Sequence, residues 1–137
     1  MRRSLDRCHL DVTAGASDMM AVLEDAMCDN ELVMKACRPL PAGTPPLSGH
    51  DLEHLLGHAE GWAISAGQLT KTFQFEDHYQ TMAFVNAVAW ISHREDHHPE
   101  LTVGYSTCTV RYATHSIGGL SENDFICAAK VDHLVEG

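Results

Sequence analysis

The chain has 137 residues, which is enough for one domain with a buried core but too few for two. It is 45% hydrophobic and 20% charged, as is usual for a globular protein, and its formal net charge of -10, with scattered Lys and Arg, argues against nucleic-acid or anionic-membrane binding. No apolar run approaches the ~20 residues of a membrane-spanning helix, and five cysteines without a CxxC pair indicate reduced thiols in a cytoplasmic protein.

Residues 1–46 are predicted to form an N-terminal extension and arm in front of a domain that covers residues 47–137. The segment 18–37 has apolar side chains at helical spacing, and the stretch rich in Pro and Gly that follows it favours an extended arm. Ser48 is a candidate N-cap for a helix over residues 50–60. Next, residues 62–75 predict a hairpin of two strands with its turn at Ala66 and Gly67.

A second helix is predicted over residues 78–95, and Pro99 is expected to end it. Its side chains are apolar almost all round, so we expect one face to pack on the sheet and another on helices or on a second subunit. The chain is therefore predicted to form a homo-oligomer, a dimer or a tetramer. The alternative is that residues 1–36 cover the second face.

Residues 101–115 then predict two strands, and Ser121 is expected to open a final helix. In the first strand Leu101, Val103 and Tyr105 alternate, and the final helix is predicted to point Leu134 inward. The resulting order, α-β-β-α-β-β-α, predicts an α+β fold with a four-stranded antiparallel sheet and helices packed on one face.

The chain contains ten histidines, and the most informative of them follow the second helix and the last strand. His97, His98 and Pro99 come after the helix, and His115 comes after the last strand. Two antiparallel strands return the chain to the same end of the sheet, so these histidines are expected to meet there. Because an imidazole titrates near ~6.5, such a group suits proton transfer at neutral pH.

This pattern resembles the pterin-4a-carbinolamine dehydratase family. That family carries a His-His-Pro, an aromatic residue, a Thr-His pair and a Gly-Leu-Ser/Thr-x-x-Asp turn at fixed spacings. The residues that match here are His97, His98, Pro99, Tyr105, Thr114, His115 and Asp124. The resemblance covers about residues 47–135.

The resemblance implies a hydro-lyase that removes water from 4a-hydroxytetrahydrobiopterin and gives the quinonoid dihydropterin, with no metal and no organic cofactor. It implies catalysis by three histidines, in which His97 and His115 donate or accept protons and His98 positions the pterin. The substrate-binding residues that it implies are Pro99, Tyr105, Thr114, Ser116 and Asp124.

Other interpretations of the same residues stay open at this point. Three histidines can hold zinc, and Ser121 with Asp124 is also a helix-capping pair. His93 occupies a position that is usually acidic in the family, so a carboxylate that orients His97 has to come from Glu95, Asp96 or elsewhere. A non-catalytic dimerisation module on the same fold is the alternative function.

A second histidine pattern lies outside the resembling motif. His50, His54 and His58 recur every four residues on the first predicted helix of the domain. This spacing is compatible with a metal site, but a solvated helix face is the simpler interpretation.

Overall fold

The structure, a computed structural model, describes residues 29–136. The helices in this part of the chain are α1 (Asp29–Met34), α2 (Gly49–Gly57), α3 (His78–Glu95) and α4 (Glu122–Glu136). The strands are β1 (Ala63–Ser65), β2 (Gln68–Gln74), β3 (Glu100–Val103) and β4 (Thr107–Tyr112). The predicted α-β-β-α-β-β-α order from residue 47 onward is confirmed, and α1 is an additional short helix. The apolar residues of segment 18–37 that precede α1 lie outside the described residues.

The four strands form one antiparallel sheet in the order β1-β2-β4-β3. Ala66 and Gly67 join β1 to β2 with φ angles of 52° and 76°, which is the left-handed turn that suits a two-residue hairpin. β4 lies between β2 and β3, so its carboxyl end emerges in the middle of one sheet end.

One face of the sheet is buried under helices, and the other is more exposed. The buried inward side chains of β2 and β4 are Leu69, Phe73, Cys108, Val110 and Tyr112. The opposite face carries polar residues such as Thr72 and Thr109, whose hydroxyl groups are hydrogen-bonded at 2.8 Å. α4 is the most buried helix, and α1, α2 and α3 all pack against it. This is the helix-on-one-face arrangement that the residue pattern predicted.

α3 has a defined stop at each end. At its start, the Asp77 carboxylate accepts a hydrogen bond from the Gln80 N–H at 2.9 Å. At its end, Asp96 adopts a left-handed conformation with φ of 53°, and the His97 N–H donates to the Ser92 carbonyl at 3.2 Å. The prediction that Pro99 ends the helix was therefore wrong, because the left-handed residue breaks the helical ladder three positions earlier.

Other side-chain directions also differ from the prediction. Tyr105 lies in the turn after β3 and is 71% exposed, with its ring stacked on His78. Val103 and Leu134 are exposed as well, because β3 is an edge strand and Leu134 lies in the last turn of α4. Ser48 occupies the N-cap position of α2 but makes no side-chain capping bond. None of the helices between residues 29 and 136 has the length and apolar character needed to span a bilayer.

Replacing Gly119 with Ala should destabilise the protein by roughly 1–3 kcal/mol, because overpacking a rigid contact forces backbone shifts. A Cβ at this position would lie 2.7 Å from the Pro46 Cβ. Gly57 is the matched control, since a Cβ there meets no atom within 4 Å. Urea unfolding that showed equal stability for the two Ala variants would contradict the packing of Pro46 on Gly119.

Candidate active site

His97 is held from both its backbone and its ring. Its backbone is fixed by the bond to Ser92 at the end of α3, and its ring stacks on Tyr112 of β4 with centroids 5.8 Å apart and planes 9° apart. The side chain is 14% exposed, and its Nε2 lies 2.6 Å from Asp124 Oδ1. Burial raises the pKa of Tyr112 above its usual range, so the tyrosine serves here as a neutral platform.

Asp124 lies in the first turn of α4 and is fully buried. Its Oδ2 accepts hydrogen bonds from Thr114 Oγ1 at 2.8 Å and from the Ser121 N–H at 2.9 Å. The Ser121 hydroxyl lies 2.7 Å from Thr114 Oγ1, and it donates because the single Thr114 proton is directed to Asp124. The carboxylate therefore caps α4 and contacts His97 at the same time, so the two interpretations of Asp124 are compatible.

The hydrogen bond to Asp124 decides which nitrogen of His97 is available for chemistry. A carboxylate accepts hydrogen bonds, so Nε2 of His97 carries the proton of this bond. Nδ1 is then the nitrogen that can take up or release a proton, and the buried carboxylate stabilises the ring when it becomes charged. This Asp-His pair can therefore perform general acid or base catalysis.

His98 and His115 are brought to the same end of the sheet by strand pairing. Glu100 of β3 pairs with Arg111 of β4, which places residues 97–99 beside the segment that follows β4. Thr114 and Gly119 then pair with each other and close a short loop that carries His115 and Ser116. The side chains of His98 and His115 are exposed, whereas that of His97 points inward.

A cavity of about 320 Å³ lies beside His97. Thr114 and Ser116 line it from the loop after β4, and the rest of the wall comes from the end of α3, from Asn123 and from the arm before α2. The remaining lining residues are Cys37, Arg38, Pro39, Leu40, Arg94, Glu95, Asp96 and Asn123. His98 and His115 are not part of this lining. A larger groove of about 600 Å³ lies along α3 and the end of α4, but no titratable side chain lines it.

The arm residues of the cavity wall are held by side chains of α3 and α4. The Cys37 N–H donates to Glu95 Oε1 at 2.8 Å. Asn123 contacts the backbone of Arg38 twice, accepting from its N–H at 3.1 Å and donating to its carbonyl at 2.8 Å. Further along, the Leu47 N–H donates to the Leu120 carbonyl at 2.8 Å. These four bonds fix the arm as a wall of the cavity.

The structure brings together some of the residues that the sequence singled out and separates others. His97, Thr114 and Asp124 share hydrogen bonds, and Pro99 lies half-buried next to the histidines. Tyr105 is held by Thr81 near the start of α3, which is roughly 20 Å from the His97 end at ~1.5 Å per residue. Tyr105 is therefore not part of this cavity.

The carboxylate that contacts His97 comes from α4 and not from the neighbouring residues Glu95 and Asp96. His93, at the position that is usually acidic, is exposed beside Trp90. Sequence reasoning missed Tyr112, Asn123 and the arm. Only Tyr112 had a local signal, since its inward position follows from the alternation of β4.

His50, His54 and His58 do line one side of α2, with adjacent ring centroids 6.3 and 5.0 Å apart. Within residues 29–136, however, no group of three or more His, Cys, Asp or Glu side chains is arranged to hold a metal ion.

Comparison with known proteins adds a family to this geometry. The sequence model of the family described as "Pterin 4 alpha carbinolamine dehydratase" matches residues 45–134. Provisionally named pterin-4-alpha-carbinolamine dehydratases from Nitrosospira multiformis and Nitrosomonas europaea are 56% and 57% identical to the chain, covering 78% and 79% of it and 95% of each relative. A crystal structure from Brucella melitensis, titled transcriptional coactivator/pterin dehydratase, is 30% identical with a TM-score of 0.62 and covers 65% of this chain and 97% of that one.

Replacing Asp124 with Asn should lower the free energy of unfolding by roughly 1–3 kcal/mol, because the amide has one acceptor oxygen for three buried donors. The exposed Asp96 provides the control, since an Asn there tolerates the left-handed conformation and should change stability by less than about 0.5 kcal/mol. Both variants can be measured by urea unfolding. Equal stabilities would show that the three donors do not depend on the carboxylate.

Proposed function

The chain belongs to the pterin-4a-carbinolamine dehydratase family, and we propose that it is itself a dehydratase that removes water from 4a-hydroxytetrahydrobiopterin to give quinonoid dihydropterin. The observation that carries this proposal is the 2.6 Å contact between His97 and the buried Asp124 beside a cavity of about 320 Å³. The volume lies at the lower end of the range for small-molecule pockets.

The dehydration requires one proton to leave and one to arrive. The proton on ring nitrogen N5 is removed, the bond between carbon 4a and its hydroxyl oxygen breaks, and the oxygen leaves as water after it is protonated. His97 suits the first step, because its Nδ1 can accept a proton while Asp124 stabilises the resulting imidazolium. The geometry supports this role because both atoms of the Asp-His contact are shielded from water.

We assign protonation of the leaving hydroxyl to His115 and positioning of the pterin to His98. Both side chains are exposed at the end of the sheet where His97 lies, so they can approach a ring that sits at the cavity mouth. Pro99, Thr114, Ser116 and Asp124 complete the proposed site. Thr114 and Asp124 act by holding His97 and the loop that carries His115.

A non-catalytic binding module on the same fold is the second candidate. The solved relative whose title includes the words transcriptional coactivator keeps this alternative in view. The Asp-His contact favours the enzyme, because a module that binds only through its surface has no need for an oriented imidazole. Stopped-flow decay of freshly made 4a-hydroxytetrahydropterin, with and without the protein, distinguishes the two functions.

Replacing His97 or His115 with Ala should slow the dehydration by roughly 10²-fold or more, the range of a positioned acid or base. His133 on α4 is an exposed control whose Ala variant should keep the full rate. Circular dichroism verifies that each variant is folded. Full rates in both the His97 and the His115 variant would remove these histidines from the mechanism.

The protein is also proposed to form a homo-oligomer through α3. Within the described chain, α3 buries one stripe, made of Thr81, Phe84 and Val88. On the other side Tyr79 and Trp90 are 85% and 60% exposed, and Met82 lies between them at helical spacing. Large exposed apolar stripes of this kind are unusual in monomers and typical of interfaces between subunits.

Light scattering at micromolar concentration should therefore give the mass of a dimer or a tetramer, and replacing Trp90 with Glu should lower that mass. Met34 on α1 is the matched control, because it is 79% exposed and its Glu variant should leave the assembly unchanged. A monomer mass for the unmodified protein would overturn the proposal.

A further inference from the structure

Two thiols meet where the arm crosses α4. The Sγ atoms of Cys37 and Cys127 lie 3.5 Å apart, although the residues are 90 positions apart in the sequence. We propose that Cys37 and Cys127 are a redox pair that forms a reversible intramolecular disulfide and thereby locks the arm, a wall of the cavity beside His97, onto α4. A disulfide needs Sγ atoms about 2.05 Å apart, so a small side-chain rotation at each residue is sufficient.

The surroundings keep the two thiols together. Cys37 is fixed by its N–H bond to Glu95, and the next residue, Arg38, is fixed by its two bonds to Asn123. Cys127 is fully buried on α4, one helical turn beyond Asn123. Because both partners sit on constrained backbone, their approach is a feature of the packing and not of one mobile side chain.

The two cysteines differ in how they can react. Cys37 is partly exposed and lines the cavity, so a small oxidant can reach it. Cys127 is buried, and its hydrogen bond with Cys37, together with burial, raises the pKa of its thiol. Cys37 is therefore the thiol that reacts first, and Cys127 is the resolving thiol. Cys108, by contrast, is fully buried inside the sheet.

With hydrogen peroxide as the oxidant, the reaction proceeds in two steps. The Cys37 sulfur attacks one peroxide oxygen, the O–O bond breaks, and a sulfenic acid and one water form. The Cys127 sulfur then attacks the Cys37 sulfur, the S–O bond breaks, and the hydroxyl leaves as a second water with the proton of Cys127. Two thiols are oxidised by two electrons in total, and one peroxide is reduced to two waters.

The experiment uses the full chain with Cys8 and Cys28 replaced by Ser, so that only the three described cysteines remain. After peroxide treatment, mass spectrometry should find the loss of two hydrogens and a peptide that links Cys37 to Cys127, both reversed by dithiothreitol. The melting temperature should rise by roughly 5–15 °C. Hydrogen exchange at the amides of residues 37–40 should slow by roughly ten-fold or more.

A Cys127→Ala variant distinguishes a resolving thiol from a bystander. Without the second sulfur, Cys37 should gain oxygen atoms instead of forming a link, and the melting temperature should not rise. Oxygen adducts on Cys37 in the protein that retains Cys127, with no linked peptide, would overturn the proposal.

A pterin tests the cavity separately. If the proposed function is correct, a saturating oxidised pterin covers Cys37 and should slow its oxidation several-fold. A link that forms at the same rate with and without pterin would support the redox pair and count against the assignment of this cavity to the pterin.

Discussion

The site depends on the burial of one carboxylate. Asp124 has no exposure to solvent, and a buried carboxylate is costly unless hydrogen-bond donors surround it. Its donors come from His97 after α3, from Thr114 after β4 and from the start of α4 itself. Solvating this group inside the protein therefore requires three chain segments to meet. The orientation of the His97 ring is a direct consequence of that requirement.

The backbone prepares this meeting before any side chain takes part. The left-handed residue Asp96 ends α3 and fixes the direction of the chain at His97. The pairing of β3 with β4 then returns the chain so that Tyr112 lies under the His97 ring. Because helix end and strand are regular elements, the imidazole is held more rigidly than one on an open loop would be.

The arm gives the cavity a wall that is distinct from the catalytic pair. Residues 37–40 precede the part of the chain that matches the family, which begins at residue 45, yet they line the cavity beside His97. Glu95 and Asn123, which hold the arm, are close in sequence to His97 and Asp124. The wall and the acid-base pair thus share the same two supports, the end of α3 and the start of α4.

The sequence alone determined the features that depend on local chemistry. The bounds of α3, the turn at Ala66 and Gly67, the alternation of β4 and the motif residues could all be predicted, because each follows from side-chain periodicity, backbone preference or spacing. The end of α3 could not, since a left-handed Asp96 competes with a later Pro99. The side of Tyr105 depended on where an edge strand stops. The partner of His97 was decided only by the tertiary structure, because Glu95, Asp96 and Asp124 are chemically equivalent as acceptors. Only the packing of α4 against the ends of α3 and β4 brings one of them within 2.6 Å of the imidazole.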